Sequence, residues 1–575
     1  MLVMLSVVVF MSLVYQGLSV VSYGTDFITT FPENIAYYHT NDSMTTLKIT
    51  AFHNHTVVKV TVNYTLVYGT TLDSGQIQNV HFPISFKQYN FKHFLHCVRV
   101  VGTSRIVVLW ITKRADSIQT NVVQPIKNLG YFYSIPALNY SKDYSKVTGL
   151  RNIPYPFAPI SINRTNNTFR LIIINAENVT NYVSVSIISG FSPNHSVSLN
   201  PYEVYQVYTN SSVSVSSVRK VAVLLTHPCM ETPGCGCNMV VSQVLTSNLW
   251  GDKFVIPALS ITNAIWLHVS SLSTVYFKEQ NLRSLNDFWS QLIPFPYLDE
   301  ESPSINADSP TPLWIVSPGS VIEIIPITMF AACYLVLFNS TEGEIVVIAE
   351  KGHEGGVHID HDPLESPHWK VGHNSGYSSV SMSLNGTHVI WHPTLKIGVY
   401  MFERMNGGIL YGGTAIPLSE EPDPHGCLDK PAKFIPGTHP MTWPESHQYC
   451  LNETYQLLTP NSTDAQTQMV DWLFKHNYSD DVWIGLRRSL LTLDWYWQAG
   501  HESIHDVSYT EWAYEHPGDP WKAMCASGNL DSNKNFFWKS VACCMKMIPV
   551  CYKESTYFKD LASETLDAFV SEILS

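Results

Sequence analysis

Charge is scarce in this chain. Its 575 residues include only 14 % Asp, Glu, Lys and Arg, with a formal net charge of -13 and no long basic run. Phosphate recognition needs clustered Lys and Arg, so nucleic acid is not an expected partner. Beyond the N-terminus no apolar run reaches the roughly 20 residues that a bilayer-spanning helix requires. The stretch Leu561 to Ser575 carries Asp and Glu and no lipid-anchor signal. Catalytic signatures are missing too. There is no Gly-x-Ser-x-Gly elbow, no phosphate-cradling glycine loop and no His-Glu-x-x-His helix. The expectation is a protein that binds rather than catalyses, with no catalytic residues, no cofactor and no membrane insertion.

What is present is apolar, polar-uncharged and glycosylatable. Apolar residues make up 45 % of the chain, enough for several cores. Leu2 to Val14 is an almost unbroken apolar run followed by small residues, the pattern of an export signal. Val20 and Ser22 suit cleavage before Tyr23, giving a signal peptide over 1–22; Gly17 and Ser19 suit a cut after Ser19. Asn-x-Ser/Thr sequons stand at Asn41, Asn54, Asn63, Asn139, Asn163, Asn166, Asn178, Asn194, Asn210, Asn339, Asn385, Asn452, Asn461 and Asn477. Six of the eleven cysteines lie after residue 426. Sequons and clustered cysteines both predict a secreted, extracellular glycoprotein.

Residues 23–417 read as β structure. Val57–Val62, Arg105–Trp110 and Phe169–Ile174 are rich in β-branched residues and separated by Asn, Ser, Gly and Pro. A tetrapeptide repeats: Ile135-Pro136-Ala137-Leu138 returns 121 residues later as Ile256-Pro257-Ala258-Leu259. That spacing suits one β-sandwich unit and predicts units over 23–138, 139–260 and 261–417. The third would include strands near 320–328, 333–338, 344–349 and 397–402. Leu418 to Gly426 is acidic and Pro-rich, and is read as a linker. A second domain is expected over 427–555, with a tail over 556–575. The predicted fold class is mainly β: tandem sandwich-like units, then an α+β domain.

Within the first region, Gly24 to Asn34 and Val221 to Leu259 carry the most specific signal. The latter runs through Cys229, Cys235 and Cys237 to Trp250-Gly251 and Phe254-Val255-Ile256-Pro257. Together these resemble the N-terminal domain of the IgG Fc-binding protein family of secreted, mucus-associated proteins. The resemblance brings no residue set for antibody binding. A bridge from Cys229 to Cys235 or Cys237, with Cys237 taken as the partner, would pin one loop; zinc held by the three thiolates is the alternative.

The last quarter orders Cys450, Trp483-Ile484-Gly485-Leu486, Trp495-Tyr496-Trp497, Trp512, Cys525, Trp538, Cys543 and Cys551. It resembles a C-type lectin domain. The resemblance implies a helix from Thr442 to Cys450, a second helix through Met469 to Phe474, and disulfides Cys450–Cys551 and Cys525–Cys543. Cys427 and Cys544 are left over and are expected to pair with each other. Sugar-binding members hold calcium with a Glu-Pro-Asn or Gln-Pro-Asp triplet and a later Trp-Asn-Asp triplet. Here His516-Pro517-Gly518 and Trp538-Lys539-Ser540 stand in those places. The proline is kept, in position to be cis, and the flanking oxygen ligands are gone. Calcium is therefore disfavoured, although Glu515 and Asp519, one residue outside the expected positions, would be the donors of a displaced site. The loop from residue 498 to 540 is expected to carry recognition of extracellular glycans or glycoproteins, through Tyr514, Glu515, His516, Asp519, Trp521 and Lys539.

One polar constellation points elsewhere: His353, Glu354, His358, Asp360, His361, Asp362, His368 and His373. On a strand, His358, Asp360 and Asp362 would share a face and could ligate zinc for a hydrolase centred on His358 and His361. Gly355-Gly356 and Asp362-Pro363 favour a solvated loop instead.

Overall fold

The structure is a computed structural model. It describes residues 21–558 apart from 33–43, 83–96, 115–116, 137–168, 188–194, 210, 233–235, 258, 260–264, 270–274, 278–279, 283–288, 294–303, 318, 339–342, 366–368, 372–374, 405–409, 453, 479, 500–501, 505–506 and 532–533. The chain separates into a unit of residues 1–427 with 558–575 and a unit of residues 428–557.

The first unit repeats one pattern. Seven strands follow each other: Gly24–Thr30, Met44–Ala51, Thr56–Val62, Thr65–Leu72, Ile77–Phe82, Cys97–Arg114 and Ser117–Val122. The long sixth strand pairs with the first, second, third and seventh, while the fourth pairs with the third and the fifth with the second. Its apolar side chains alternate early (Val98, Val100) and then run continuously from Ile106 to Trp110, all buried. That change marks passage from a half-covered sheet into one covered on both faces.

The same pairings recur from Gly130–Ile135 to Gly236–Gln243, again around one long sixth strand, Val213–Thr232. They recur from Gly251–Val255 to Ser320–Ile324, where the sixth strand is broken into Ser304–Thr311 and Leu313–Ser317. They recur once more from Cys333–Leu337 to Leu410–Thr414, with Thr387–Trp391 and Gly398–Arg404 as the divided sixth strand. The region therefore holds four sandwich repeats, and their boundaries replace the expected 23–138, 139–260 and 261–417. Ile135 closes the first strand of the second repeat and Ile256 directly follows that of the third, so the repeated tetrapeptide begins at the end of a first strand rather than ending a unit. A short 3-10 turn precedes the first strand of each later repeat: Ile126–Asn128, Ser247–Leu249 and Ile327–Met329.

The four repeats close on themselves. The seventh strands lie side by side in cyclic order, first to second, second to third, third to fourth and fourth to first. The cores are shared in the same cycle. Met239 and Val241 of the second repeat pack into the first; Trp314 and Val316 of the third pack into the second. Val346 and Tyr400 of the fourth pack into the third, and Val107, Leu109 and Val122 of the first pack into the fourth. Ser117 Oγ donates to Asn238 Oδ1 at 2.6 Å, and Asn238 Nδ2 to the Gly319 carbonyl at 2.9 Å, so buried polar groups join three repeats.

The expected linker over 418–426 is not one throughout. Ile416–Ser419 is a strand paired with Cys333–Leu337. Cys427 bonds to Cys333, not to Cys544, which is free and exposed. The correction has a simple cause: Cys427 belongs to the first unit, and the second begins only at Leu428. The tail expected from 556 begins inside the fold as well. Thr556–Tyr557 pairs with Leu428–Lys430. Phe558 is buried against Phe52 in the first unit, with ring centroids 5.0 Å apart.

The second unit is α+β. Helix α1 (Trp443–Asn452) starts where Thr442 donates its N–H to the Glu445 carboxylate at 2.9 Å, and helix α2 (Thr463–Lys475) is capped by Ser462. Five strands run in the order Glu502–Ile504, Trp495–Ala499, Val482–Arg488, Cys525–Leu530 and Phe536–Val541. Met469 and Leu473 of α2 face the core, with Val470 half-buried beside them. Trp443, Trp483, Trp497 and Trp538 are fully buried. The indole N–H groups of Trp443, Trp483 and Trp538 reach Ile484 O, Met441 O and Gln466 Oε1 at 2.9, 2.8 and 3.0 Å. These three donors are thus paired, which lets their large rings fill the core at little polar cost. Cys450–Cys551 and Cys525–Cys543 are bonded as expected.

Candidate functional site

The candidate site is the loop that leaves the sheet of the second unit and returns as Cys525–Leu530. Its pivot is the His516–Pro517 peptide bond, which is cis. Ser540, on the adjoining strand, holds that pivot. Its Oγ accepts from Gly518 N–H at 2.8 Å and lies 3.0 Å from His516 Nδ1, and its own N–H donates to the same Nδ1 at 3.0 Å. The nitrogen that receives the Ser540 N–H carries no proton, so the ring proton sits on Nε2. Residues standing where the two ligand triplets would meet are thus hydrogen-bonded directly to each other.

The other expected residues divide. Tyr514 and Trp521 flank the pivot and are 91 % and 77 % exposed, so they are surface rather than core. Glu515 is exposed with a left-handed backbone, φ 64°. Asp519 serves its own turn: Oδ1 accepts from Trp521 N–H at 3.0 Å, and Oδ2 lies 3.8 Å from Lys522 Nζ. Lys539 turns to Asp481, with Nζ 3.0 Å from Oδ1, and so is drawn into a pair away from the loop. The loop gathers Tyr514, Glu515, His516, Asp519 and Trp521; it does not gather Lys539.

Two further side chains hold the loop in place. In sequence Ser540 is only the last residue of the altered triplet Trp538-Lys539-Ser540, yet in the fold it is the clamp. Arg488 ends the central strand, donates through Nη2 to the Gly518 carbonyl at 3.2 Å and lies 4.7 Å from the Trp495 ring centre. The Arg487-Arg488 pair directly after Trp-Ile-Gly-Leu was the available signal, since two cations in so uncharged a chain need partners.

The described residues of the histidine-rich segment are committed to other partners or exposed. His358–Ile359 and Asp362–Pro363 pair as a hairpin, and Asp360 sits in its turn at φ 53°, so the expected alternation along one strand is broken. His358 stacks on Trp391 at 4.4 Å and lies 2.9 Å from Gly356 O. Asp360 Oδ2 lies 2.7 Å from His388 Nδ1, while Glu354 accepts from Ser378 and from the Gly352 N–H. His361 and Asp362 are exposed, and His368 and His373 lie outside the described residues. Among the described residues no group of three or more His, Cys, Asp or Glu converges as a metal site. Cys229 is disulfide-bonded, with a partner side chain outside those described, which removes it from any zinc site.

Of the sequons, Asn54, Asn63, Asn178, Asn385, Asn452, Asn461 and Asn477 fall on described residues, and all are exposed. Asn41, Asn139, Asn163, Asn166, Asn194, Asn210 and Asn339 lie outside them.

Two helices, a five-stranded sheet and the two disulfides give the C-terminal unit the build of a C-type lectin-like domain. Residues 439–553 match the sequence family of the lectin C-type domain, and residues 119–283 that of the IgGFc binding protein. The human IgGFc-binding protein is 27 % identical over 201 residues, 33 % of this chain and 3 % of that protein. Mouse asialoglycoprotein receptor 2 is 33 % identical over 91 residues, 16 % of this chain and 27 % of the receptor. The chain therefore spans only a small part of the curated relatives it matches. Among solved structures, human lithostathine aligns with 22 % of this chain and 85 % of its own, at 23 % identity and a TM-score of 0.20. The C-type lectin domain of murine dendritic cell inhibitory receptor 2, solved with an N-glycan, aligns with 22 % of this chain and 91 % of its own, at 21 % identity and a TM-score of 0.19. No helix among the described residues is long and apolar enough to cross a membrane.

Proposed function

We propose that the protein is a secreted recognition glycoprotein that binds extracellular glycans or glycoproteins through the Tyr514–Trp521 loop, without calcium at the usual lectin position. The observation that carries this reading is the exposure of Tyr514 and Trp521, 91 % and 77 %, on either side of a pivot clamped by Ser540. Large exposed aromatics lose little conformational entropy on binding, and they stack on sugar faces or fill a partner's pocket. The clamp supports calcium independence: Ser540 and His516 satisfy each other where the two ligand triplets would meet. Hard cations seek carboxylate and carbonyl oxygen, and this pair of segments supplies neither a Glu nor an Asp at the expected positions.

A glycan array probed with the whole protein, in calcium and then in chelator, tests both parts. Binding that persists in chelator and is lost in Trp521→Ala supports the reading. Binding abolished by chelator would replace it with a calcium-dependent lectin using Glu515 and Asp519. Capture untouched by Tyr514→Ala and Trp521→Ala would move the site elsewhere.

A further inference from the structure

The centre of the four-repeat ring encloses a cavity of about 90 Å3, bordered by all four seventh strands. Two side chains on its wall do equivalent structural work. Gln243, on the seventh strand of the second repeat, accepts from the Gln124 N–H at 2.9 Å. Glu323, on the seventh strand of the third, accepts from the Leu245 N–H at 3.0 Å. Gln124 and Leu245 occupy the same place, two residues before the 3-10 turns that begin at Ile126 and Ser247. A glutamine is sufficient to cap such an amide, as Gln243 shows, so the carboxyl at 323 is not required for that bond.

Glu323 is only 8 % exposed, and its second oxygen, Oε1, has no hydrogen-bond partner. Gln243 Nε2 and Thr120 Oγ1 are buried and unpartnered as well, and both residues border the same cavity. Three unmet polar groups around one space are expensive unless something occupies it. No Lys or Arg lines the space, so nothing there compensates a carboxylate. Burial pushes the Glu323 carboxyl up to about 8, and the nearby Tyr133 phenol, itself raised by burial, offers no positive charge. The rest of the wall is mixed: Val241, Ile322, Met329 and Met401 are apolar, and Asn121, Asn128 and Thr414 add uncharged polar groups. A bare metal ion fits poorly, because Gln243 presents a donor and its acceptor oxygen is already committed to Gln124.

We propose that this cavity binds a small primary amine, held as its ammonium ion by Glu323 Oε1, with a second polar group of the ligand accepting from Gln243 Nε2. At roughly 30 Å3 per water, the space of about 90 Å3 holds about three water-sized groups, so it suits a molecule of only about three or four heavy atoms. On binding, the ammonium displaces the proton from the carboxyl, and that proton leaves to buffer.

The test is calorimetric titration of the whole protein with ethanolamine at neutral pH, in phosphate and in HEPES. Ethylene glycol, its uncharged counterpart, is the control ligand, and Glu323→Gln is the variant. Glutamine keeps the Leu245 cap, and thermal unfolding of the variant verifies that it folds. The expected result is saturable one-to-one binding, with a heat that differs between buffers as a proton is released. Affinity should fall by about tenfold or more in Glu323→Gln, the scale of one charge-assisted hydrogen bond, and ethylene glycol should not bind. Absence of ethanolamine binding, equal binding by Glu323→Gln, or equal binding of ethylene glycol would each overturn the proposal.

Discussion

Replacing Ser540 with Ala removes one oxygen from the pivot and nothing else. Ser540 is 6 % exposed, and its Oγ receives the Gly518 N–H at 2.8 Å. The His516 Nδ1 bond from the Ser540 backbone survives, because it uses the main-chain N–H. The variant therefore leaves a half-buried Gly518 N–H unmet. An unmet buried donor costs about 1–3 kcal/mol, and partial solvent access to Gly518 puts the expectation near the lower half, about 1–2 kcal/mol. For a unit of this size that lowers the melting temperature by roughly 4–8 °C. Calorimetry of the whole protein reads this as a shift of the lectin-domain transition. Hydrogen exchange reads it locally, as lost protection of the Gly518 amide. Ser540→Thr keeps the hydroxyl and should restore both. If Ser540→Ala leaves the Gly518 amide as protected as before, Ser540 does not clamp the loop and the account of a pre-organised pivot fails.

Further outcomes follow from the same contacts. The Cys333–Cys427 bond joins residues 94 apart, so Cys333→Ser with Cys427→Ser should destabilise the first unit by roughly 4–5 kcal/mol in the chain-entropy description; an unchanged denaturant midpoint would refute this. His388 places its two ring nitrogens 2.7 Å from Asp360 Oδ2 and Asn385 O, and the hydrogen bond to Asp360 raises its pKa. Its stabilisation is then fully present below the unfolded imidazole value of about 6.5 and is lost as pH rises through the higher folded value. Asp360→Asn should remove that slope from melting temperatures measured over pH 6 to 8, and a slope unchanged in the variant would sink the assignment. Val21 and Ser22 are buried: Val21 O accepts from Asn128 Nδ2 at 2.8 Å, and Ser22 N–H donates to Pro417 O at 3.1 Å. Terminal sequencing of exported protein should find Val20 first, from a cut after Ser19; a terminus at Tyr23 would show those contacts to be dispensable.

Much of the second unit was legible in the sequence because disulfides and aromatic strands impose local order. The two helices and the cis proline fell where the resemblance to C-type lectin domains placed them. The clamp was hidden because it is a substitute. Ser540 reads as an absent carboxylate until its distance to Gly518 is known. The repeats were half legible. The 121-residue spacing from the second repeat to the third showed in a tetrapeptide, but the phase and number of the repeats did not, since nothing in the sequence of 97–114 or 213–232 announces one long strand that pairs with four others. The fourth repeat was invisible to the tetrapeptide, although Tyr334 repeats the role of Tyr133. In each, a buried phenol accepts from the N–H three residues earlier and donates to a carbonyl of the sixth strand or just before its second segment. The pairing of Cys427 was unreadable for the same reason: its partner lies in a strand that reads as plain core.

An array of stacked modules ordinarily frays from its two outermost members, which need specialised polar caps. The cyclic arrangement here has no outermost member, so it has nowhere to begin fraying and no shortened form that keeps every interface. A fragment cut at the matched family segment, 119–283, would carry the closing strand of one module, one whole module and the opening strands of a third. It would expose Val241 and Leu225 on surfaces that the intact circle keeps dry. Expression of the N-terminal part should therefore succeed only with all four modules together.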